Sequence, residues 1–142
     1  MSPAGLVASL GGSKVLGREV RSELDLAEAI HEGLPVSSVD AVLHSGMLEA
    51  AELYALVAPR RTLEHRRKQE TLSPQQSDRL ARVVRVFNRA GEALASTEKA
   101  SRWMRKTNRA LSGKRPIDLL ETEVGARIVE KVLGRIEHGV YS

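Results

Sequence analysis

PRRTLEHRRKQETLSPQQSDRLARV, residues 59–83, is the stretch whose reading decides the fold of this chain. Its first ten residues hold five cations and one carboxylate, a surplus equal to the formal net charge of +4 carried by all 142 residues. Pro59 suits the start of a helix, and Leu63 is the core-facing residue of the basic helix that follows. A second start comes at once. Ser73 caps, Pro74 takes the first helical position, and Gln76 can bond back to the cap. From Pro74 to about Ala95 the pattern sets Leu80, Val83, Val84 and Phe87 on one face, with Leu94 extending it. At about 100° per residue, Arg79, Arg82, Arg85 and Arg89 gather on the opposite side.

Upstream, the residues read as short helices. Asp25 followed by Glu28 resembles a capping box for a helix carrying Leu26, Ala29 and Ile30, stopped by Gly33-Leu34-Pro35. Ser38 is expected to cap a helix bearing Val39, Val42 and Leu43 that ends at Ser45-Gly46. Leu48–Val57 then places Leu48, Ala51, Ala55 and Leu56 on an inner face. Two helices joined by a tight turn, the second basic, form the helix-turn-helix plan. The first twenty-two residues hold two apolar clusters around Gly11-Gly12, which fit either a short helix and turn or a mobile arm.

Downstream, Thr97 before Glu98 is expected to cap a helix whose inward side is Ala100, Trp103 and Met104. Lys106–Arg115 reads as a loop, and Pro116 opens a short helix with Ile117, Leu119 and Leu120. Thr122 caps the last long helix, where Val124, Ile128, Val129, Val132, Leu133 and Ile136 cover about half the circumference. Gly139 supplies a left-handed stop, and Val140-Tyr141-Ser142 follows as an apolar-aromatic tail ending in a carboxylate. No strand-like alternation and no internal repeat stand out. The expected fold class is all-α, with a helix-turn-helix-like region over residues 1–70 and a helical domain over residues 71–142.

Composition narrows the function classes. The apolar core rests on Ala, Leu and Val, since aromatics make up only 3% of the chain. No apolar run approaches the roughly 20 residues that cross a bilayer, and the start lacks the regions of a signal peptide. Cysteine is absent, which removes disulfides and thiolate metal sites and fits a cytoplasmic protein. The histidines, His31, His44, His65 and His138, form no i,i+4 pair, so no metal site is expected. No phosphate-cradling glycine loop and no nucleophile elbow occurs, so neither a cofactor nor a catalytic constellation is indicated. Charge is segregated instead. Residues 1–58 sum to −5, residues 69–116 to +7 and residues 117–142 to −2, which suggests a phosphate-facing surface in the middle of the chain.

In the basic helix, Arg60, Arg61, Thr62, His65 and Arg66 are the candidates to face a DNA groove, with Arg67 and Lys68 near phosphates. The pattern departs from a typical helix-turn-helix at two places. Val57 stands where a small turn residue is usual, and Arg66 where an apolar residue is usual. DNA reading, dimerisation and a solvated charge run therefore all stay open for this helix. The stripe Arg79, Arg82, Arg85 and Arg89 is open to phosphate binding or to an acidic neighbour.

Four stretches taken in order, SKVLGREVRSELDL, PRRTLEHRRKQETLSPQQSDRLARV, EKASRWMRK and NRALSGKRPIDLLETEVGARIVEKVLGRIEHGVYS, resemble the Xre-type antitoxins with a ParS/MbcA-like toxin-binding domain. These are the partners of RES-domain toxins. The resemblance implies a type II toxin–antitoxin module and a protein with no catalytic activity of its own. It implies an NAD-consuming RES toxin as partner, bound by the C-terminal half so that its NAD pocket is blocked. It also implies operator DNA as a second partner, autoregulation of the operon, and a homodimer or a hetero-oligomer with the toxin. Carried over by position, the toxin-facing candidates are Asn108, Arg109, Leu111 and Gly113 in the loop, and Arg135, His138, Gly139, Val140 and Tyr141 at the end. The alternative expectation is a helix-turn-helix regulator without a toxin partner.

Overall fold

Helices form wherever the sequence combines a cap with an apolar stripe. The computed structural model describes residues 3–139. Among them run α1 (Ala4–Ser9), α2 (Gly12–Leu16), α3 (Glu23–Glu32), α4 (Ser37–Ser45), α5 (Ala50–Leu56), α6 (Arg60–Gln69), α7 (Pro74–Leu94), α8 (Thr97–Arg105) and α9 (Glu123–Glu137). Two 3₁₀ turns, Arg109–Leu111 and Pro116–Glu121, join α8 to α9. No strand occurs among the described residues, and extended pairing is limited to the isolated bridges Pro35–Thr71 and Asn108–Lys114. The all-α expectation holds.

The chain divides into two compact units at Val84/Arg85, inside α7 rather than at residue 70. Backbone hydrogen bonds explain why residues 70–77 go with the N-terminal unit. Val36 N–H donates to Glu70 C=O at 2.9 Å, and Leu72 N–H donates to Leu34 C=O at 2.8 Å. The hydroxyl of Ser77, itself fully buried, accepts from Leu34 N–H at 2.8 Å. Gly33 makes this junction possible, because its φ of +100° and the closeness of Leu72 C=O leave no place for a side chain. The core of this unit gathers Leu10, Leu34, Val39, Val42, Leu48, Leu53, Leu63 and Leu80.

Several helix starts fall a residue or more from their expected places. Ser22, not Asp25, caps α3. Its hydroxyl accepts from Asp25 N–H at 3.0 Å while the Asp25 carboxylate accepts from Ser22 N–H at 3.2 Å. Ser38 lies inside α4, where its buried hydroxyl donates to Leu10 C=O at 2.8 Å. That bond ties the α1–α2 segment to α4, so the first residues are two short helices seated on the unit. In α5 the inward residues are Leu53 and Leu56, and Ala51 and Ala55 are exposed. Ser96 rather than Thr97 caps α8, accepting from Lys99 N–H at 3.1 Å. The reciprocal bonds of Ser73 and Gln76 start α7 as expected, at 2.9 and 3.1 Å.

The second unit is built from the C-terminal half of α7, α8, the 3₁₀ turns and α9. Phe87, Ala90, Met104, Leu111, Leu120, Val129 and Leu133 are buried in it, and the Arg105 guanidinium lies 5.5 Å from the centre of the Phe87 ring. The turn Pro116–Glu121 rests against both α8 and α9. Thr122 caps α9 through Gly125 N–H at 3.0 Å. A Cβ at Gly125 would run into the Leu119 carbonyl, so this helix start admits glycine alone. The substitution Gly125→Ala is expected to lower stability by roughly 2–3 kcal/mol, the usual cost of forcing atoms into filled space. Urea unfolding followed by circular dichroism measures it, and an unchanged midpoint would contradict the close fit.

Candidate functional site

The basic helix α6 is anchored by one apolar side chain. Leu63 is buried, and its N–H closes the first turn onto Pro59 C=O at 3.0 Å. The remaining candidates divide by partner. Arg61, His65 and Lys68 are exposed and lie within one arc of the helix, with Arg60 at its edge holding Glu64 at 3.1 Å. Thr62 and Arg66 are half-buried, and the Arg66 guanidinium folds back to Gln69 at 2.6 Å. Arg67 turns away from the others and grips Asp40 of α4 with two bonds of 2.7 and 3.0 Å. The Arg67 hydrogen bonds hold the Asp40 carboxyl below the usual carboxylate range, against an opposing effect of burial. Arg67 is thus a fastener between α4 and α6. Val57, at the end of α5, is a core residue whose carbonyl accepts from Arg79 at 3.4 Å.

The arginine stripe of α7 is not an open phosphate surface. Arg82 pairs with Asp78 at 3.1 Å. Arg85 reaches two carboxylates of α9, Glu130 at 2.9 and 3.2 Å and Glu123 at 3.1 Å. Arg89 holds Glu137 through two bonds of 2.9 and 3.0 Å. Burial opposes the charge on Arg85, yet the bonds it donates to Glu130 and Glu123 outweigh this and raise its pKa. The partners of Arg85 and Arg89 lie 38 to 48 positions away in sequence, beyond the reach of any local pattern. Arg82, Arg85 and Arg89 thus meet acids of their own chain, while Arg79 is exposed and donates to a backbone carbonyl.

Of the loop candidates, Asn108 is the knot that closes the loop. Its side chain accepts from Ala110 N–H at 2.9 Å, and its backbone N–H donates to Lys114 C=O at 3.0 Å. Its own carbonyl accepts from Gly113 N–H at 2.9 Å. Leu111 points inward and is only 5% exposed, so it supports the loop from beneath. Arg109 and Gly113 are exposed on it, Gly113 with a φ of +80°. At the end of α9, Arg135, His138 and Gly139 are exposed, and Gly139 takes the expected left-handed conformation with φ +71°. Val140 and Tyr141 lie outside the described residues. One feature escaped the sequence reading. Val124 and Ile128, expected on the inner face of α9, are 61% and 43% exposed.

Known proteins share both halves of this architecture. Residues 25–85 match the Antitoxin Xre-like helix-turn-helix domain, and residues 89–139 match the Antitoxin Xre/MbcA/ParS C-terminal toxin-binding domain. The Antitoxin Xre of Yersinia enterocolitica is 37% identical over 120 residues, which cover 82% of this chain and 81% of that protein. This chain belongs to the Xre antitoxin family. The Antitoxin Xre of Photorhabdus laumondii is 32% identical over 80% of this chain and 78% of its own. That of Pseudomonas putida is 29% identical over 85% and 76%. The first matched domain of the antitoxin ends at residue 85, beside the division of its compact units at Val84/Arg85, and the second runs from residue 89 to the Gly139 stop.

The candidate residues thus fall on two separate surfaces, the outer arc of α6 in the first unit and the exposed loop and helix end in the second. Among the described residues no group of three acids or histidines is placed to hold a metal ion, and no helix is long and apolar enough to cross a membrane. The Asp40–Arg67 pair makes the antitoxin sensitive to acid. The unfolded carboxyl titrates near 3.8 and the folded one lower, so its stabilisation is present above that range and lost as pH falls through the folded value. Both side chains are about half exposed, and screening limits the contribution to under about 1 kcal/mol. Asp40→Asn is expected to lower the melting temperature slightly at neutral pH and to flatten the decline between about pH 5 and pH 2. Parallel melting curves of wild type and variant at low pH would refute this.

Proposed function

We propose that this antitoxin belongs to a type II module and neutralises a RES-domain, NAD-consuming toxin by capping its active site with the C-terminal segment. The observation that carries the reading is the match of residues 89–139 to a toxin-binding domain that ends on an exposed helix terminus. There Arg135 and His138 are exposed beside a left-handed Gly139, and Val140 and Tyr141 follow in sequence. Arginine and histidine are suited to meet the acidic and catalytic groups of a nucleotide cleft, and a tyrosine brings apolar area with a polar tip. Arg109 and Gly113 on the loop supply further contact, while Asn108 and Leu111 hold the loop in shape.

The same reading gives the antitoxin a second partner. Operator DNA in the cytoplasm would meet the α6 arc of Arg61, His65 and Lys68, with Arg60 beside it, so that the antitoxin represses its own operon. Arg67 contributes by fixing the helix on α4 and Arg66 by covering its flank, and a homodimer or a toxin complex would present two such helices to one operator. Phosphate contacts of this kind bind through counterion release and weaken steeply with salt.

Co-expression with an adjacent-gene RES protein tests the main claim. Wild-type antitoxin is expected to restore growth and cellular NAD, and deletion of Gly139–Ser142 to weaken inhibition by about tenfold or more, as loss of a central anchor does. Full inhibition by the truncated chain would rule out the capping segment. Arg61→Ala with Lys68→Ala is expected to weaken operator binding and to reduce its salt slope by about two. Salt-dependent operator binding without any toxin complex would favour the alternative, a regulator without a toxin partner.

A further inference from the structure

Helix α9 sorts its side chains by charge. Its three carboxylates, Glu123, Glu130 and Glu137, recur every seven residues and share one side. All three are taken by Arg85 and Arg89 of α7. Its three cations, Arg127, Lys131 and Arg135, recur every four residues and are exposed on the arc next to these acids, Arg127 making a 3.8 Å approach to Glu123. Val124 and Ile128 stand in the same outward arc. The result is a face with two exposed β-branched side chains, bordered by cations and leading directly to His138 and Gly139.

We propose that this outer face of α9 is a docking surface for the toxin, fitting a patch with an apolar seat for Val124 and Ile128 and carboxylates around it. The inference rests on the toxin-binding reading of residues 89–139 and extends it from the chain terminus along the whole helix. Charge complementarity names the occupant. A second copy of α9 laid on this face would set cations against cations, with the carboxylates of both helices already held by α7. A nucleic-acid surface would place polar side chains where Val124 and Ile128 stand, since such interfaces are strongly polar and cationic. A protein with an acidic rim and an apolar centre satisfies both parts of the face, the apolar pair giving residence time and the cations speeding encounter. The face is also continuous with the helix end that presents Arg135 and His138.

Biolayer interferometry of full-length antitoxin variants on the immobilised toxin tests the surface. Val124→Ser with Ile128→Ser is expected to speed dissociation by about tenfold or more. Arg127→Gln with Lys131→Gln is expected to slow association and to flatten its dependence on salt. Because all four side chains sit on the surface, melting temperatures should stay within a degree or two of wild type, and circular dichroism verifies this. Wild-type kinetics in both variants would overturn the docking face while leaving the capping segment standing. Unchanged toxin kinetics with weakened operator binding, or with a dimer turned monomer by light scattering, would overturn it in favour of DNA or a second copy. If wild-type antitoxin forms no complex with the toxin, the proposed function falls and this surface falls with it.

Discussion

A helix surrounded on most of its circumference can carry a row of arginines only if each guanidinium finds an anion or a carbonyl. Helix α7 is in that position, with Leu80, Ala81, Val83, Val84, Val86, Phe87 and Ala90 all buried. Arg85 and Arg89 answer the constraint by binding the three acids of α9, which sets the rotation of α9 about its own axis. Ion pairs of this half-exposed kind add little net free energy. Their effect is therefore on register. With the acids turned to α7, the cations and the apolar pair of α9 have one direction left, outward.

The N-terminal unit solves a different problem. Its basic helix has a single buried apolar residue, Leu63, too little to hold ten residues in place by burial alone. The Asp40–Arg67 pair and the strand-like tie between residues 34–36 and 70–72 supply the rest. One cation of the cluster is used to orient the helix, so that the others can face away from it. The charge excess that marks α6 in the sequence is thus partly scaffold.

Features set by neighbours in sequence could be read without a structure. Ser73, Pro74 and Gln76 start α7, Thr122 starts α9, and Gly33, Gly46 and Gly139 end helices, because caps and stops act within about four residues. The same locality misled where two polar residues stood close together. Ser22 competes with Asp25, and Ser96 with Thr97, and only the backbone angle of the cap decides between them. Contacts distant in sequence stayed hidden. Ser38 looks like a cap until Leu10 is seen to need its hydroxyl, and Leu111 looks like a loop contact until it is found in the core. Val124 and Ile128 match an inward stripe by hydrophobicity, and it is the pairing of Glu123 and Glu130 with Arg85 that turns them out.

The absence of a side chain at Gly125 also bears on how such antitoxins could be reshaped. With the Leu119 carbonyl filling the space of a Cβ, the 3₁₀ turn and the start of α9 are held as one piece, and sliding or re-aiming the helix would break that junction. New partner specificity is then reached most cheaply by exchanging side chains on a platform of constant geometry. Segment 116–139 becomes a cassette, in which a few outward positions can be rewritten while the frame that presents them is copied unchanged.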